Sequence, residues 1–404
     1  MPTITLRSGV SRTVAALVAA VVFATGSLLM TGSAEADPRQ FTSALIGVGS
    51  DTTQEVIGAL AGENNNTDYT PLSTSVATGR LQIVSWKAIP PTSCITPRAP
   101  GATFSRPNGS TGGRRALSRA VDGGNFGTAT CGGAKPVSGL VDFARSSAVG
   151  TTTGTALTYI PFARDALSYV YKTTGTAVAL PDMTRAELTS VYTASVGTGT
   201  NIRGTNVVPC GINTSSGTYA FWLTAVGATA SQENTATAHC NSIAPTRIEE
   251  HDSAALVAKA NSLGGDNMYI VGHSAGTWIA QKNGVAPSRL GVGAEIGAIS
   301  NNGSGTNLGS PVQGTAPNMT PNSSFYNDGT FGRFVYNVFD TNRVTGLGNA
   351  GLKAMFVGPT SLVCSAAAQA TVNKYGFSSL GSGTGASDCG NTLTQRGLDA
   401  GANP

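Results

Sequence analysis

The chain has 404 residues, a formal net charge of +4, 52 glycines and only 11% charged side chains. So mild a balance, with no basic run interleaved with aromatics, excludes a nucleic-acid partner held by a charged face. The length asks for two lobes rather than one core, and the scarcity of charge predicts a hydroxyl-rich, loop-rich surface.

Residues 1–36 read as an export signal. Arg7 and Arg12 form a basic start, Val14 to Met30 is largely apolar, and Ala34-Glu35-Ala36 fits a small-residue cleavage site. Thr25-Gly26-Ser27 interrupts the apolar run, which argues against a membrane anchor, and no cysteine lies near the cleavage point to carry a lipid. No later segment is apolar enough to span a bilayer, so a secreted or wall-associated chain without stable membrane insertion is expected. Six cysteines in an exported chain predict disulfides. They fall into three neighbourhoods, giving Cys94–Cys131, Cys210–Cys240 and Cys364–Cys389 as the expected pairs. With no CxxC and three histidines, neither a metal site nor a cofactor is expected.

Ala44 to Gly49 reads as a buried strand, followed by Ser50-Asp51-Thr52-Thr53 and a helix; Thr52 and Glu55 have capping-box spacing. Gly47-Val48-Gly49 lacks the third glycine of a dinucleotide fingerprint. Leu81 to Trp86 is a second strand. Asn108-Gly109-Ser110-Thr111-Gly112-Gly113 then opens a helix bearing Arg114 and Arg115, which either face solvent or seek an anion or carboxylate. Asp142 to Ser147 is a strand ending in a polar corner. Arg145 there either contacts an anion or pairs with Asp142 or Asp165.

Leu157 to Tyr171 alternates into a strand that reads as the crossing into a second lobe. Thr184 and Glu187 form another capping box. Asn213-Thr214-Ser215-Ser216-Gly217-Thr218 runs into an apolar helix. It is either an ordinary helix cap or an anion cradle, since the first amides of a helix lack partners and sit at the positive end of its dipole. A helix over 253–260 and a strand over 268–271 continue the α/β alternation. Residues 300–330 read as a long polar surface loop, and the last fifteen as poorly ordered.

Gly272-His273-Ser274-Ala275-Gly276 matches a serine-hydrolase elbow. The elbow needs a histidine later in the chain, and none follows Ser274. A hydrolase using Ser274 is therefore the least favoured reading, and no catalytic residue is assigned.

Four of these segments, in order, resemble motifs of the phosphate-binding branch of extracellular solute-binding proteins. They are Gly47 to Thr53, Gly109 to Gly113, Asp142 to Ser147, and Ser216-Gly217-Thr218 before an aromatic helix. The Phe143-Ala144-Arg145-Ser146-Ser147 corner is similar to one in an actinobacterial-type secreted subgroup. The resemblance spans about residues 41 to 290. It implies the two-lobed type 2 periplasmic-binding-protein fold: lobe 1 over 37–157 and 285–404, lobe 2 over 158–284, with ligand in the cleft between them. It implies Ser50, Asp51, Thr52, Ser110, Thr111, Arg145, Ser146, Ser147, Ser216, Gly217 and Thr218 as the ligand-binding set, a small oxyanion such as phosphate as ligand, and an ABC transporter permease as partner. Two positions depart from the pattern: the family's proton-accepting aspartate falls on Ser147 and its arginine on Ile212. Those departures keep open an adhesive or scaffold protein with the same fold and a degenerate site.

Overall fold

A computed structural model describes residues 37–38, 44–62, 83–89 and 92–399. The expected signal peptide and Leu81 lie outside the described residues. The chain is mixed α/β, organised on a ten-stranded sheet. Its strands are β1 (Leu45–Gly49), β2 (Ile83–Ser85), β3 (Phe143–Ser146), β4 (Leu157–Thr173), β5 (Thr200–Ile202), β6 (Thr205–Pro209), β7 (Asn267–Ser274), β8 (Glu295–Ile296), β9 (Gly332–Asp340) and β10 (Thr394–Arg396). The order across the sheet is β5-β6-β7-β4-β9-β3-β1-β2, with β8 and β10 also paired to β4.

β4 joins the two halves. Its first part, Leu157 to Ala166, pairs antiparallel with β9, and its second, Leu167 to Thr173, with β7. At ~3.3 Å per residue, this 17-residue strand is roughly 55 Å long. The side-chain period of two sorts the first half cleanly. Leu45, Ile83, Phe143, Ile160 and Phe339 face one core, while their neighbours Ile46, Val84, Ala144, Tyr159 and Val338 face another. A third core, built on Tyr169, Val170, Val207, Val208 and Met268 to Val271, fills the second half around Trp222. Ile299, Leu308 and Phe325 join this third core, so the polar stretch 300–330 is pinned to the fold at intervals.

The helices that position the site are α1 (Gln54–Ala61), α2 (Gly109–Asp122), α3 (Arg185–Tyr192), α4 (Gly217–Val226), α5 (Ser253–Leu263) and α6 (Ala275–Lys282). The Thr184 capping box forms as its spacing predicts. The Thr52–Glu55 box does not. Thr53 occupies the N-cap of α1 without a side-chain cap, because the Thr52 hydroxyl is engaged elsewhere. Arg114 and Arg115 fall in the second turn of α2, and Arg114 meets the Asp399 carboxylate at 2.7 Å. Of the last fifteen residues, those up to Asp399 are tied down rather than poorly ordered, since β10 pairs with β4 and Asp399 holds Arg114, while 400–404 lie outside the described residues. All three expected disulfides form: Cys94–Cys131, Cys210–Cys240 and Cys364–Cys389. Among the described residues no helix is long and apolar enough to cross a membrane.

Candidate functional site

The four polar corners meet. β1 ends at Gly49 and turns through Ser50 to Thr53 into α1, while β3 ends at Ser146 beside the start of α2. The Thr111 amide donates to the Ser215 carbonyl at 3.2 Å. Ser110 Oγ lies 3.1 Å from Ser147 Oγ and accepts from the Ser147 amide at 3.0 Å. A Cβ at position 217 would fall 2.7 Å from Ser110 Oγ and 2.8 Å from Ser147 Oγ, so this approach requires glycine. Thr52 Oγ1 lies 3.3 Å from Thr218 Oγ1.

At the centre of these corners is a carboxylate that sequence reasoning missed. Glu250 Oε1 accepts from the hydroxyls of Thr52 at 2.5 Å, Ser216 at 2.7 Å and Thr218 at 2.8 Å. Ser216 is the N-cap of α4 and accepts from the Thr218 amide at 3.0 Å, so its own proton is free for Glu250. The oxygen thus sits at the positive end of α4 and draws donors from both halves of the chain. Glu250 is presented by a turn between Ile248, bridged to Ile212, and Asp252, the N-cap of α5. That turn is fastened by Ser274 N to Glu250 O at 3.0 Å and by Gln281 Nε2 to His251 O at 2.9 Å.

Charged groups surround this seat. Arg333, on β9, pairs with Asp165 of β4 at 2.8 Å and brings Nη2 within 3.5 Å of Thr52 Oγ1. Its Nη1 is buried and makes no hydrogen bond among the described residues, as is true of Glu250 Oε2, Asp51 Oδ1 and His251 Nε2. His251 Nδ1 lies 3.1 Å from Asp51 Oδ2. Burial and then the Glu250 charge push the Asp51 carboxyl up to about 6, against the pull of His251. Burial opposes the His251 proton, yet the Asp51 hydrogen bond and the charges of Asp51, Glu250 and Glu249 outweigh it and raise His251 to about 9. Glu249 accepts from Asn213 at 2.7 Å and Asn108 at 3.2 Å; burial and then the Asp51 charge raise its carboxyl.

Asp51, Glu249 and Glu250 each offer an oxygen within 4.8 Å of the others, a grouping that could hold a metal ion. A cation there would lie close to His251, which pairs with Asp51, while Arg333, paired with Asp165, approaches Thr52.

The predicted residues divide. Asp51, Thr52, Ser216 and Thr218 address the seat, and Ser110, Ser147 and Gly217 form its close-packed back wall. Ser50 is buried beside them, with its hydroxyl unpartnered. Ser146 and Thr111 instead accept from Arg114 at 3.2 and 3.5 Å. Arg145 is fully buried and turns away from the seat. It donates to the Ser50 carbonyl at 3.2 Å, the Trp86 carbonyl at 2.8 Å, Ser85 Oγ at 2.8 Å and the Gly49 carbonyl. At Ile212, where the resemblance lacks its arginine, Arg247 donates to the backbone carbonyl at 2.9 Å but pairs with Glu233.

Ser274 is the N-cap of α6 and fully buried; its hydroxyl donates to Asp165 at 2.9 Å and accepts from Thr277 N at 3.2 Å. His273 faces the Ser274 carbonyl, not the hydroxyl, and burial pushes it down to about 4. The elbow motif thus builds a helix start. We expect Ser274→Ala to cost ~1–2 kcal/mol in urea unfolding, the scale of a lost cap, and a fluorophosphonate probe to label wild type no more than the variant.

No family model and no curated relative matches the chain. The structure is similar to a putative phosphate ABC transporter substrate-binding protein with bound phosphate from Clostridium perfringens, at 14% identity and TM-score 0.45, covering 84% of this chain and 100% of that one. It is similar to an ABC-type phosphate transport receptor from Vibrio cholerae at 14% identity and TM-score 0.44, covering 83% and 99%. It is also similar to PstS from Borrelia burgdorferi, at 14% identity and TM-score 0.39, covering 84% and 99%.

Proposed function

We propose that the chain is an extracellular solute-binding protein that captures a small oxyanion, phosphate foremost, between the two halves of its sheet, as the binding component of an ABC importer. One observation carries the reading. Hydroxyls from Thr52 on one side and from Ser216 and Thr218 on the other converge on a single anionic oxygen at the start of α4. A desolvated anion is tolerated only among fixed donors, and this is such a set. The unpartnered Nη1 of Arg333 adds a cationic donor beside it. Asp51 Oδ1 is a buried acceptor without a partner, so an oxyanion that still carries a proton suits the seat better than sulfate. The three disulfides support an oxidising compartment.

Calorimetry with phosphate, sulfate and arsenate on dialysed protein tests this. Phosphate should bind, and Thr218→Val should weaken it about tenfold or more, since a hydrogen bond to a charged group contributes ~1.5–3 kcal/mol. Silence towards all three anions would remove the proposal. The second reading, a scaffold with a degenerate site, draws on the Glu250 carboxylate already lying in the seat. It predicts that silence, in the variants as well as in wild type.

A further inference from the structure

The oxygen that the hydroxyls hold belongs to the chain itself. We infer that Glu250 is a built-in competitor for the oxyanion seat, and that a ligand enters by displacing its side chain. The inference rests on the oxyanion reading above.

Three features point this way. First, among the described residues the groups that donate to the Glu250 carboxylate are neutral: three hydroxyls, all to Oε1, and the Asp51 carboxyl where it holds its proton. Glu250 Oε2 is buried with no hydroxyl partner. A glutamate serving only to bind the two halves together would be better satisfied, because a half-paired buried carboxylate is costly. Second, Asp51 lies close to Glu250, its Oδ1 also buried without a partner, and Arg333, whose Nη2 lies 3.5 Å from Thr52 Oγ1, has a buried Nη1 without one. A ligand oxyanion with more lone pairs, and a proton to donate, could use the donors and acceptors that Glu250 leaves idle. Third, the backbone of the turn is fixed independently of the side chain, by Ser274 N to Glu250 O and by Asn213 N to Ile248 O at 2.9 Å. Rotation about the glutamate side-chain bonds would empty the seat without breaking the bridge between Ile212 and Ile248.

A tethered occupant lowers the apparent affinity of a free ligand by the fraction of molecules in which the seat is already filled. Removing it should therefore strengthen binding, the opposite of what removing a ligand-contacting residue does. The test is phosphate calorimetry on wild type, Glu250→Ala and Glu250→Gln, with thermal melts of each. Glu250→Ala should bind phosphate at least tenfold more tightly than wild type. Glu250→Gln should fall between, its amide oxygen still accepting from the hydroxyls without the charge. Without phosphate Glu250→Ala should melt below wild type, and saturating phosphate should restore it by mass action. Equal or weaker phosphate binding by a Glu250→Ala protein with wild-type circular dichroism would overturn the competitor and leave the oxyanion reading standing. Should that variant not fold, an affinity of Glu250→Gln no tighter than wild type overturns the competitor equally. If wild type and both variants all ignore phosphate and sulfate, the oxyanion reading fails and the competitor with it.

Discussion

Arg145→Ala should lower the stability of the ligand-free protein by several kcal/mol. The guanidinium is fully buried where the parallel strands β1 and β2 end, and it donates to the carbonyls of Gly49, Ser50 and Trp86 and to the Ser85 hydroxyl. Those carbonyls belong to the ends of β1 and β2 and to the turn that carries Asp51 and Thr52. Each acceptor stranded in the interior costs ~1–3 kcal/mol, and several would be stranded together. Arg145→Lys should recover little, since an ammonium cannot reproduce the planar fork that reaches several acceptors. Urea unfolding checks the size of the effect. The fraction of Arg145→Ala that remains folded should still bind phosphate, because the side chain does not address the seat. Wild-type stability together with lost phosphate binding would return Arg145 to the ligand set and remove the scaffolding role given to it here.

Arg145 also marks where sequence reading stops. Strands, helix starts and disulfide pairs were legible because each depends on residues close in the chain: alternation over Leu157 to Tyr171, the Thr184–Glu187 box, cysteines that fall into local pairs. The convergence of positions 52, 110, 147 and 217 was legible through the order of four motifs. What a side chain does at the end of a strand was not, because two sets of acceptors compete for it. Arg145 could turn towards an anion or towards the carbonyls of two neighbouring strands, and only the packing of β2 against β1 decides. Thr52 shows the same competition in reverse, leaving the helix cap its spacing predicts for a carboxylate 198 residues away. Glu249-Glu250-His251 did carry a local signal, three titratable residues in a row in a chain with 21 acidic residues in all. So did Arg333, a charge amid Phe331, Phe334 and Val335. Neither signal says which cavity the side chain enters.

Between pH 6.5 and 9 the protein should lose stability on the order of 3 kcal/mol, and His251→Gln should abolish most of that slope. His251 titrates at about 9 when folded, against 6.5 for an ordinary histidine. A group whose folded value is raised contributes stability that is fully present below 6.5 and is lost as pH rises through 9. The 2.5-unit difference sets the magnitude, at ~1.4 kcal/mol per unit. Asp51, raised from 3.8 to about 6, likewise favours the folded state most below 3.8 and loses that contribution as pH rises through 6. His273, pushed down to about 4, opposes it, because its contribution is present above 6.5 and lost as pH falls through 4. These two slopes offset each other between about pH 4 and 6.5, which leaves the alkaline limb to His251. Asp51, Glu249 and Glu250 are the acids whose charge holds the proton on His251. Asp51→Asn should therefore flatten the same limb by lowering the His251 value. Urea midpoints at half-unit pH steps measure this, and a wild-type profile flat from 6.5 to 9 would contradict it. The link to binding sits higher on the pH scale: folded His251 keeps its proton until about 9, so phosphate affinity that depends on its charge should hold from 6.5 towards 9 and fall as pH rises through about 9, where the acids around the seat go uncompensated.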